Sequence, residues 1–322
     1  MSFILLAHWN GRFGNRMHQY AYGATYSKLT GSDFILTSDW EGTHLFKNQY
    51  HKILDHDELR LQLNQNNDHF HNPDIMHQNI TKVFPNAKRI NPEQRYENYL
   101  KYDHPVWFNS MCAYGNSVFS KMSKNFLREE VFQLSDFVKN TEAYKYWEPK
   151  KGTYDIAHLR RDDISNPDYN KKITQQYSVL SKDAYSKAFK SFGIDESQVL
   201  WVSDDYTKKW HTDRPDPKRF GWYYPTGAEF REPEGFDWLE DFLKIYFARN
   251  IFRANSSFSW WASFLAPVAN VYAPVLDKKI SYGVDAFEEV HFDFVKGNHP
   301  HWHYNEYEEK HIIINEWNSN KK

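Results

Sequence analysis

Hydrophobic positions along the chain form short apolar runs that alternate with longer amphipathic stretches. Residues 3–8 make a first run of strand length. A turn with two glycines follows, Trp9-Asn10-Gly11-Arg12-Phe13-Gly14, and then a helical pattern over residues 15–28. Met17, Tyr20, Ala21, Ala24 and Lys28 recur at helical spacing, which turns them toward a sheet with the lysine at the end. Asn15 is placed to cap this helix. Residues 34–37 read as a second, parallel strand, completing a βαβ start. Residues 39–91 are polar and poorly periodic, and the pattern places no element in them. Residues 93–102 and 117–137 predict helices.

After a linker-like stretch at residues 147–152, the alternation resumes. Strands are predicted at 154–159, 199–203, 250–254 and 271–273, the last followed by Pro274. Helices are predicted at 181–192, 237–248 and 259–265, the last closed by Pro267. A polar, proline-containing excursion at 207–233 has the length of a substrate loop. The linker divides the chain into residues 1–150 and 151–322. Strands that alternate with helices imply an α/β fold with mostly parallel sheets. Polar groups recur at corresponding strand ends, at residues 158–163, 203–205 and 255–257. A parallel sheet gathers such ends at one edge, where α/β folds bind ligands.

Composition narrows the reading. The 322 residues are 40% hydrophobic and 25% charged, which is a globular balance. A formal net charge of -2 recommends neither nucleic acid nor an anionic membrane as partner. Aromatic residues reach 18%, more than a core needs, and some are expected to line a cleft. No apolar run approaches the ~20 residues of a membrane span. The start of the chain lacks the basic region and the length of a signal peptide. The single cysteine, Cys112, fits a reducing compartment and reads as a small buried apolar residue. These features together predict a soluble, cytoplasmic chain.

The chemistry concentrates at the strand ends. Arg160 and Arg161 are adjacent guanidiniums after the strand at 154–159, and two planar donor forks suit a diphosphate. The alternative is a surface corner in which they pair with Asp162 or Asp163. The loop with Gly11 and Gly14 before a helix start resembles an anion site, although two glycines fall short of a dinucleotide fingerprint. Ser256 and Ser257 read as a helix cap whose hydroxyls and N–H groups also suit phosphate. Asp55-His56-Asp57 is a possible metal pair, but an exposed acidic loop is the favoured reading. His69, His71, His299, His301 and His303 alternate in polar stretches with no Cys or carboxylate at ligand spacing. No metal site is predicted.

Gly11-Arg12-Phe13-Gly14-Asn15 with Gln19-Tyr20-Ala21, His158-Leu159-Arg160-Arg161-Asp162-Asp163, Ser203-Asp204-Asp205, and residues 254–262 (Ala-Asn-Ser-Ser-Phe-Ser-Trp-Trp-Ala) occur in this order. The set resembles the motifs of α1,2-fucosyltransferases, which are related to the α1,6- and protein O-fucosyltransferases. The resemblance implies the GT-B arrangement, two Rossmann-like domains facing a central cleft. It implies a nucleotide-sugar donor, GDP-β-L-fucose, bound mainly by the second domain, a glycan acceptor on the side of the first, and inversion without a metal or other cofactor. By motif position Arg160 would hold the β-phosphate. His158 and one of Asp204 or Asp205 would contact guanine. Ser256, Ser257 and Phe258 would close on the diphosphate, approached by Gly14 and Asn15. Arg161 would brace the loop through Asp163, and Asp168 stands where a related glutamate lies in the α1,6 enzymes. The chain departs from the pattern at Arg16, His18 and Asp162. A same-fold transferase with another nucleotide sugar, or an inactive sugar- or nucleotide-binding module, remain open alternatives.

Overall fold

A computed structural model describes residues 2–64, 72–92, 103–110, 125–160, 182–203, 236, 238–254, 256–276 and 292–297. Two compact units divide it, Met1–Val138 and Lys139–Ile314. Each is built on a five-stranded sheet.

The first sheet comprises β1 (Phe3–Leu6), β2 (Asp33–Leu36), β3 (His51–Ile53), β4 (Lys88–Arg89) and β5 (Val106–Phe108), in the order β3-β2-β1-β5-β4. All its pairings are parallel. Phe3, Leu5 and Trp107 pack on one face with Leu59 and Leu63 of helix α2 (Asp57–Asn64) and Met76 and Ile80 of α3 (Pro73–Val83). Helix α1 (Phe13–Thr30) packs against β1 and β2. Met17, Tyr20, Ala21 and Ala24 are buried as the spacing predicts.

Two details of α1 differ from the expectation. Asn15 does not cap the helix: Arg12 holds the cap position and the backbone N–H of Asn15 donates to its carbonyl at 2.9 Å. Gly11, at φ 71°, makes the turn, and the cap lies three residues earlier than the Asn15 the pattern suggested. Lys28 is exposed and pairs with Glu130 at 3.2 Å instead of facing the sheet. The two departures from the family pattern in α1 have local partners or surroundings. Arg16 binds Glu41 at 2.8 Å and the Gly11 carbonyl at 3.1 Å. His18 is 2% exposed, and burial pushes its imidazole from the usual 6.5 down to about 3.

The stretch without a predicted element contains β3, α2 and α3. Their amphipathic faces are short, so the periodic signal is weak. End chemistry marks them instead. Asn72 caps α3 by accepting the Asp74 N–H, with Pro73 in the first turn. His56 Nδ1 accepts the Leu59 N–H at 3.1 Å and Asp57 pairs with Arg60 at 2.7 Å, so Asp55-His56-Asp57 is a helix start. Among the described residues no group of His, Cys, Asp or Glu could hold a metal ion, and no helix is long and apolar enough to cross a membrane. Of the helix predicted at 117–137, residues 117–124 lie outside the described residues; beyond them Phe126–Val131 and Asp136–Lys139 are helical, separated by a break at which Leu134 bridges to Phe46. Residues 93–102, 207–233, Cys112 and the alternating histidines lie outside the described residues.

The second sheet comprises β6 (Asp155–Leu159), β7 (Val199–Ser203), β8 (Asn250–Phe252), β9 (Asn270–Leu276) and β10 (Phe292–Lys296), in the order β10-β9-β8-β6-β7. Only β10 is antiparallel. Helix α4 (Glu142–Trp147) precedes it, and α5 (Lys182–Phe192), α6 (Leu239–Phe247) and α7 (Ser257–Leu265) follow. Tyr185 and Phe189 of α5 pack with Ala157, Leu159, Trp201, Phe252 and Tyr272 on one face. Strand β9 runs through Pro274 rather than stopping before it. Tyr272 O accepts the Arg253 N–H and Val271 O accepts the Gly297 N–H, so even-numbered residues of β9 point their backbone groups toward β8. That pairing ends at Tyr272, so Pro274, which has no N–H to donate, stands just beyond the ladder with β8.

Residues 147–152 are folded into this unit. Trp147 is 3% exposed and its Nε1 donates to Glu240 at 3.2 Å, while Lys244 pairs with Glu240 at 3.1 Å. A second polar group ties the amino ends of β6, β8 and β9 together. Arg249 binds both oxygens of Asp155 at 2.9 Å, Asn250 donates to the same carboxylate at 2.7 Å, and Asn270 donates to Asn250 at 3.0 Å. Asp155 is 6% exposed, so it relies on these donors for its solvation.

Two outcomes are expected. Asp155→Ala should lower the unfolding free energy by about 1–3 kcal/mol, because it leaves the buried Asn250 amide without its acceptor, while the exposed Arg249 head returns to solvent. A denaturant midpoint within error of wild type would show that the latch carries no stability. His18 has its folded pKa below its unfolded one, so its contribution is complete above pH ~6.5 and is lost as pH falls toward about 3, at ~1.4 kcal/mol per pH unit. His18→Phe should therefore flatten the acid limb of stability between pH 6 and 4, by about 2–3 kcal/mol across that window. Parallel acid limbs in the two proteins would rule this out.

Candidate functional site

The neighbours β8, β6 and β7 are parallel, so their carboxyl ends share one edge. Three polar segments meet there. Arg160 leaves β6 directly after Leu159 and is half-buried. Ser203 ends β7 opposite Leu159 and is 2% exposed. After β8 the chain passes Arg253 and Ala254 and enters α7, whose cap is Ser256. The Ser256 hydroxyl accepts the Phe258 N–H at 3.3 Å, and Ser259 Oγ donates to the Ser256 carbonyl at 3.3 Å. The cap takes one orphan N–H at the start of α7, the electropositive end of the helix.

His158 is 4% exposed and lies one residue before the edge. Its carbonyl accepts the Tyr185 hydroxyl at 2.6 Å, which fixes the strand end from the α5 side. Its ring lies 6.0 Å from that of Phe258. Phe258 packs in turn on Phe242, at 5.6 Å and 74°, and on Trp238, at 6.0 Å and 88°. The aromatic contact therefore joins the β6 segment to the α7 segment across 100 residues of sequence.

Arg253 was not singled out by the sequence reading. It is fully buried, at 0% exposure. Phe252 and Ala254 belong to the core on the α5 face, so alternation puts Arg253 on the opposite face, with His158. The available signal was a charged residue inside an apolar strand just before Asn-Ser-Ser. Burying a guanidinium is costly, and functional edges are where such costs are tolerated.

The predicted site residues thus fall into three groups. His158, Arg160, Ser256, Ser257 and Phe258 gather at the carboxyl edge of the second sheet. Gly14 and Asn15 lie in the first turn of α1, in the first unit, with Gly14 buried and Asn15 half-buried. Arg161, Asp168, Asp204 and Asp205 lie outside the described residues. Chemically, the described edge offers a guanidinium, hydroxyls and a helix N-terminus on one side of a sheet, a set that suits an anionic ligand.

No protein-family profile and no curated protein sequence matches the chain. Among solved structures, the chain is similar to fucosyltransferase NodZ from Bradyrhizobium, at 12% identity and a TM-score of 0.47, covering 92% of this chain and 99% of that one. It is similar to an arginine-to-lysine mutant of Arabidopsis thaliana FUT1 in complex with GDP, at 12% identity and 0.48, covering 84% and 70%. It is also similar to POFUT1 in complex with GDP, at 12% identity and 0.42, covering 84% and 97%.

Removing the cap tests whether the α7 start is locally stabilised. Ser256→Ala should cost about 0.5–2 kcal/mol of stability, read by chemical denaturation. An unchanged midpoint would mean that the Phe258 N–H finds an equivalent partner elsewhere.

Proposed function

We propose that the chain is a glycosyltransferase that moves L-fucose from GDP-β-L-fucose to a hydroxyl of a glycan acceptor, with inversion, in an α1,2 linkage and without a metal. One observation supports this most: the described parts of the two most specific motif boxes, His158 with Arg160 and Ser256 with Phe258, meet at one sheet edge although 100 residues separate them. On this reading the first unit forms the acceptor side and the second, with residues 147–152 folded into it, the nucleotide side, as two Rossmann-like domains facing a cleft in the GT-B arrangement.

The mechanism follows from where charge develops. The acceptor oxygen attacks the anomeric carbon from the face opposite GDP, and the bond from that carbon to the β-phosphate oxygen breaks with its electron pair going to the phosphate. Cationic and N–H donors aimed at that oxygen stabilise the transition state more than the ground state. Arg160 and the start of α7 supply them, with Ser256, Ser257 and Phe258 around the diphosphate. Arg160 then performs the charge neutralisation that a divalent ion performs elsewhere. His158 and Asp204 or Asp205 read the guanine, Arg161 braces its loop, and Gly14 and Asn15 approach from the first domain. Asp168 takes the acceptor proton, which requires an ordinary carboxylate only as the new bond forms.

The first test is a screen of nucleotide sugars for transfer or hydrolysis, read by mass spectrometry with and without EDTA. Turnover of GDP-fucose that survives EDTA is expected. Turnover of a different nucleotide sugar, GDP binding without product, or loss of activity on chelation would each replace a specific part of the reading. The second test is Arg160→Lys, which keeps the charge and loses the planar fork. It should weaken GDP binding by roughly ten- to a hundredfold and lower kcat/KM by more. Arg161→Lys should act mainly on melting temperature. Unchanged GDP affinity in Arg160→Lys would remove the phosphate role.

A further inference from the structure

The carboxyl edge of the first sheet holds a second constellation, within the first unit alone. Strands β1 and β2 are paired in register from Phe3 with Asp33 to Leu6 with Leu36, so the segments that follow them emerge side by side. Trp9 follows β1, and Ser38 and Asp39 follow β2. Trp9 is half-buried. Its Nε1 donates to the Ser38 carbonyl at 3.1 Å, and one face stacks on Trp40 with ring centroids 5.4 Å apart and planes 19° apart. Trp40 is itself fixed, 5% exposed, by stacking on Tyr20 at 4.6 Å. Gly42 keeps this ring in place, since a Cβ there would overlap the Trp40 indole. Trp9 is thus held rigid from the Trp40 side and keeps part of its surface accessible.

The residue that follows Ser38 is a carboxylate that is exposed yet anchored. The Asp39 side chain is 61% exposed, while His51, its partner at 3.1 Å, is 5% exposed. The Asp39 carboxylate only accepts, so His51 Nε2–H donates to its Oδ1, and in that tautomer His51 Nδ1 accepts the Tyr20 hydroxyl at 3.0 Å, whose oxygen accepts the Tyr50 N–H at 2.9 Å. A core tyrosine and a buried histidine thus orient a surface carboxylate and leave the rest of it to accept from a ligand. An ordinary surface aspartate has no such support. Pre-orientation lowers the entropy that binding must overcome.

We propose that Trp9 and Asp39 form a subsite for a neutral pyranose ring of the acceptor glycan. The C–H face of the ring stacks on the indole and its hydroxyls donate to the carboxylate, a charge-assisted bond. The word acceptor rests on the transferase reading above; the sugar site itself rests on this edge.

Ligand-observed saturation-transfer NMR tests it, on the full chain without GDP, using methyl β-D-glucopyranoside, methyl β-D-galactopyranoside and methyl α-D-mannopyranoside as probes. Wild type and Arg160→Lys should both transfer saturation to at least one probe. Trp9→Ala should abolish the transfer, and Asp39→Asn should weaken binding by about tenfold or more. Asparagine still accepts from His51, so this exposed substitution keeps the local structure and remains decisive if Trp9→Ala does not fold. No transfer from wild type to any probe, or transfer unchanged in Asp39→Asn, overturns the subsite. GDP is titrated in parallel: sugar binding by a chain that does not bind GDP would support the subsite and overturn the transferase reading.

Discussion

Strand β6 is hydrogen-bonded in parallel on both sides, to β7 and to β8, and the geometry of the second unit depends on that double pairing. The register sets Leu159 opposite Ser203 and Ala157 opposite Phe252. Three segments far apart in sequence therefore leave the sheet at one edge, carrying Arg160, Ser203 and the Ser256 cap. A shift of one residue in either pairing would move every side chain on the shifted strand to the other face. His158 would then leave Phe258, and Arg253 would enter the apolar face made by Tyr185, Phe189 and Trp201. The apolar packing on that face is what makes such a slip costly.

The two edges of this sheet treat charge differently. At the amino edge, Asp155 is satisfied by Arg249 and Asn250, and Asn250 by Asn270. Those donors come from the chain itself, so this edge is a structural latch. At the carboxyl edge a buried arginine, a buried histidine and a helix N-terminus lie close together. Concentrating donors and positive charge in this way opposes folding unless other packing offsets it. The aromatic contacts of Phe258 with Phe242 and Trp238 provide part of that packing and also hold the α7 segment against His158.

In the first unit the aromatic surplus has a specific use. Phe13, Tyr20, Trp40 and Phe46 pack in a cluster behind Trp9, and Tyr20 also serves as the donor that orients His51. One residue thus links the hydrophobic core to a polar relay. Burial keeps its phenol protonated, because desolvation raises the pKa of Tyr20.

Much of the scaffold was legible along the chain. The strands at 199–203 and 154–159, and helices α5, α6 and α7, were expected within a few residues, because long buried runs and amphipathic faces leave a direct periodic trace. Helices α2 and α3 were not, because their apolar faces are short and their ends are marked by single capping groups. The grouping of His158, Arg160 and Ser256 was legible too, since alternating strands and helices imply a shared carboxyl edge. Arg253 was hidden, because a charge in a strand looks the same in sequence whether it is exposed or buried; only its neighbours on the face decide. The same holds for Asp39 and His51, which are 12 residues apart and acquire meaning from the Tyr20 hydroxyl that lies between helix and strand. Local periodicity and end chemistry are written in the sequence itself. Which side chains share a face, and which charge is supported by which distant donor, depends on strand register and on contacts that only the folded chain creates.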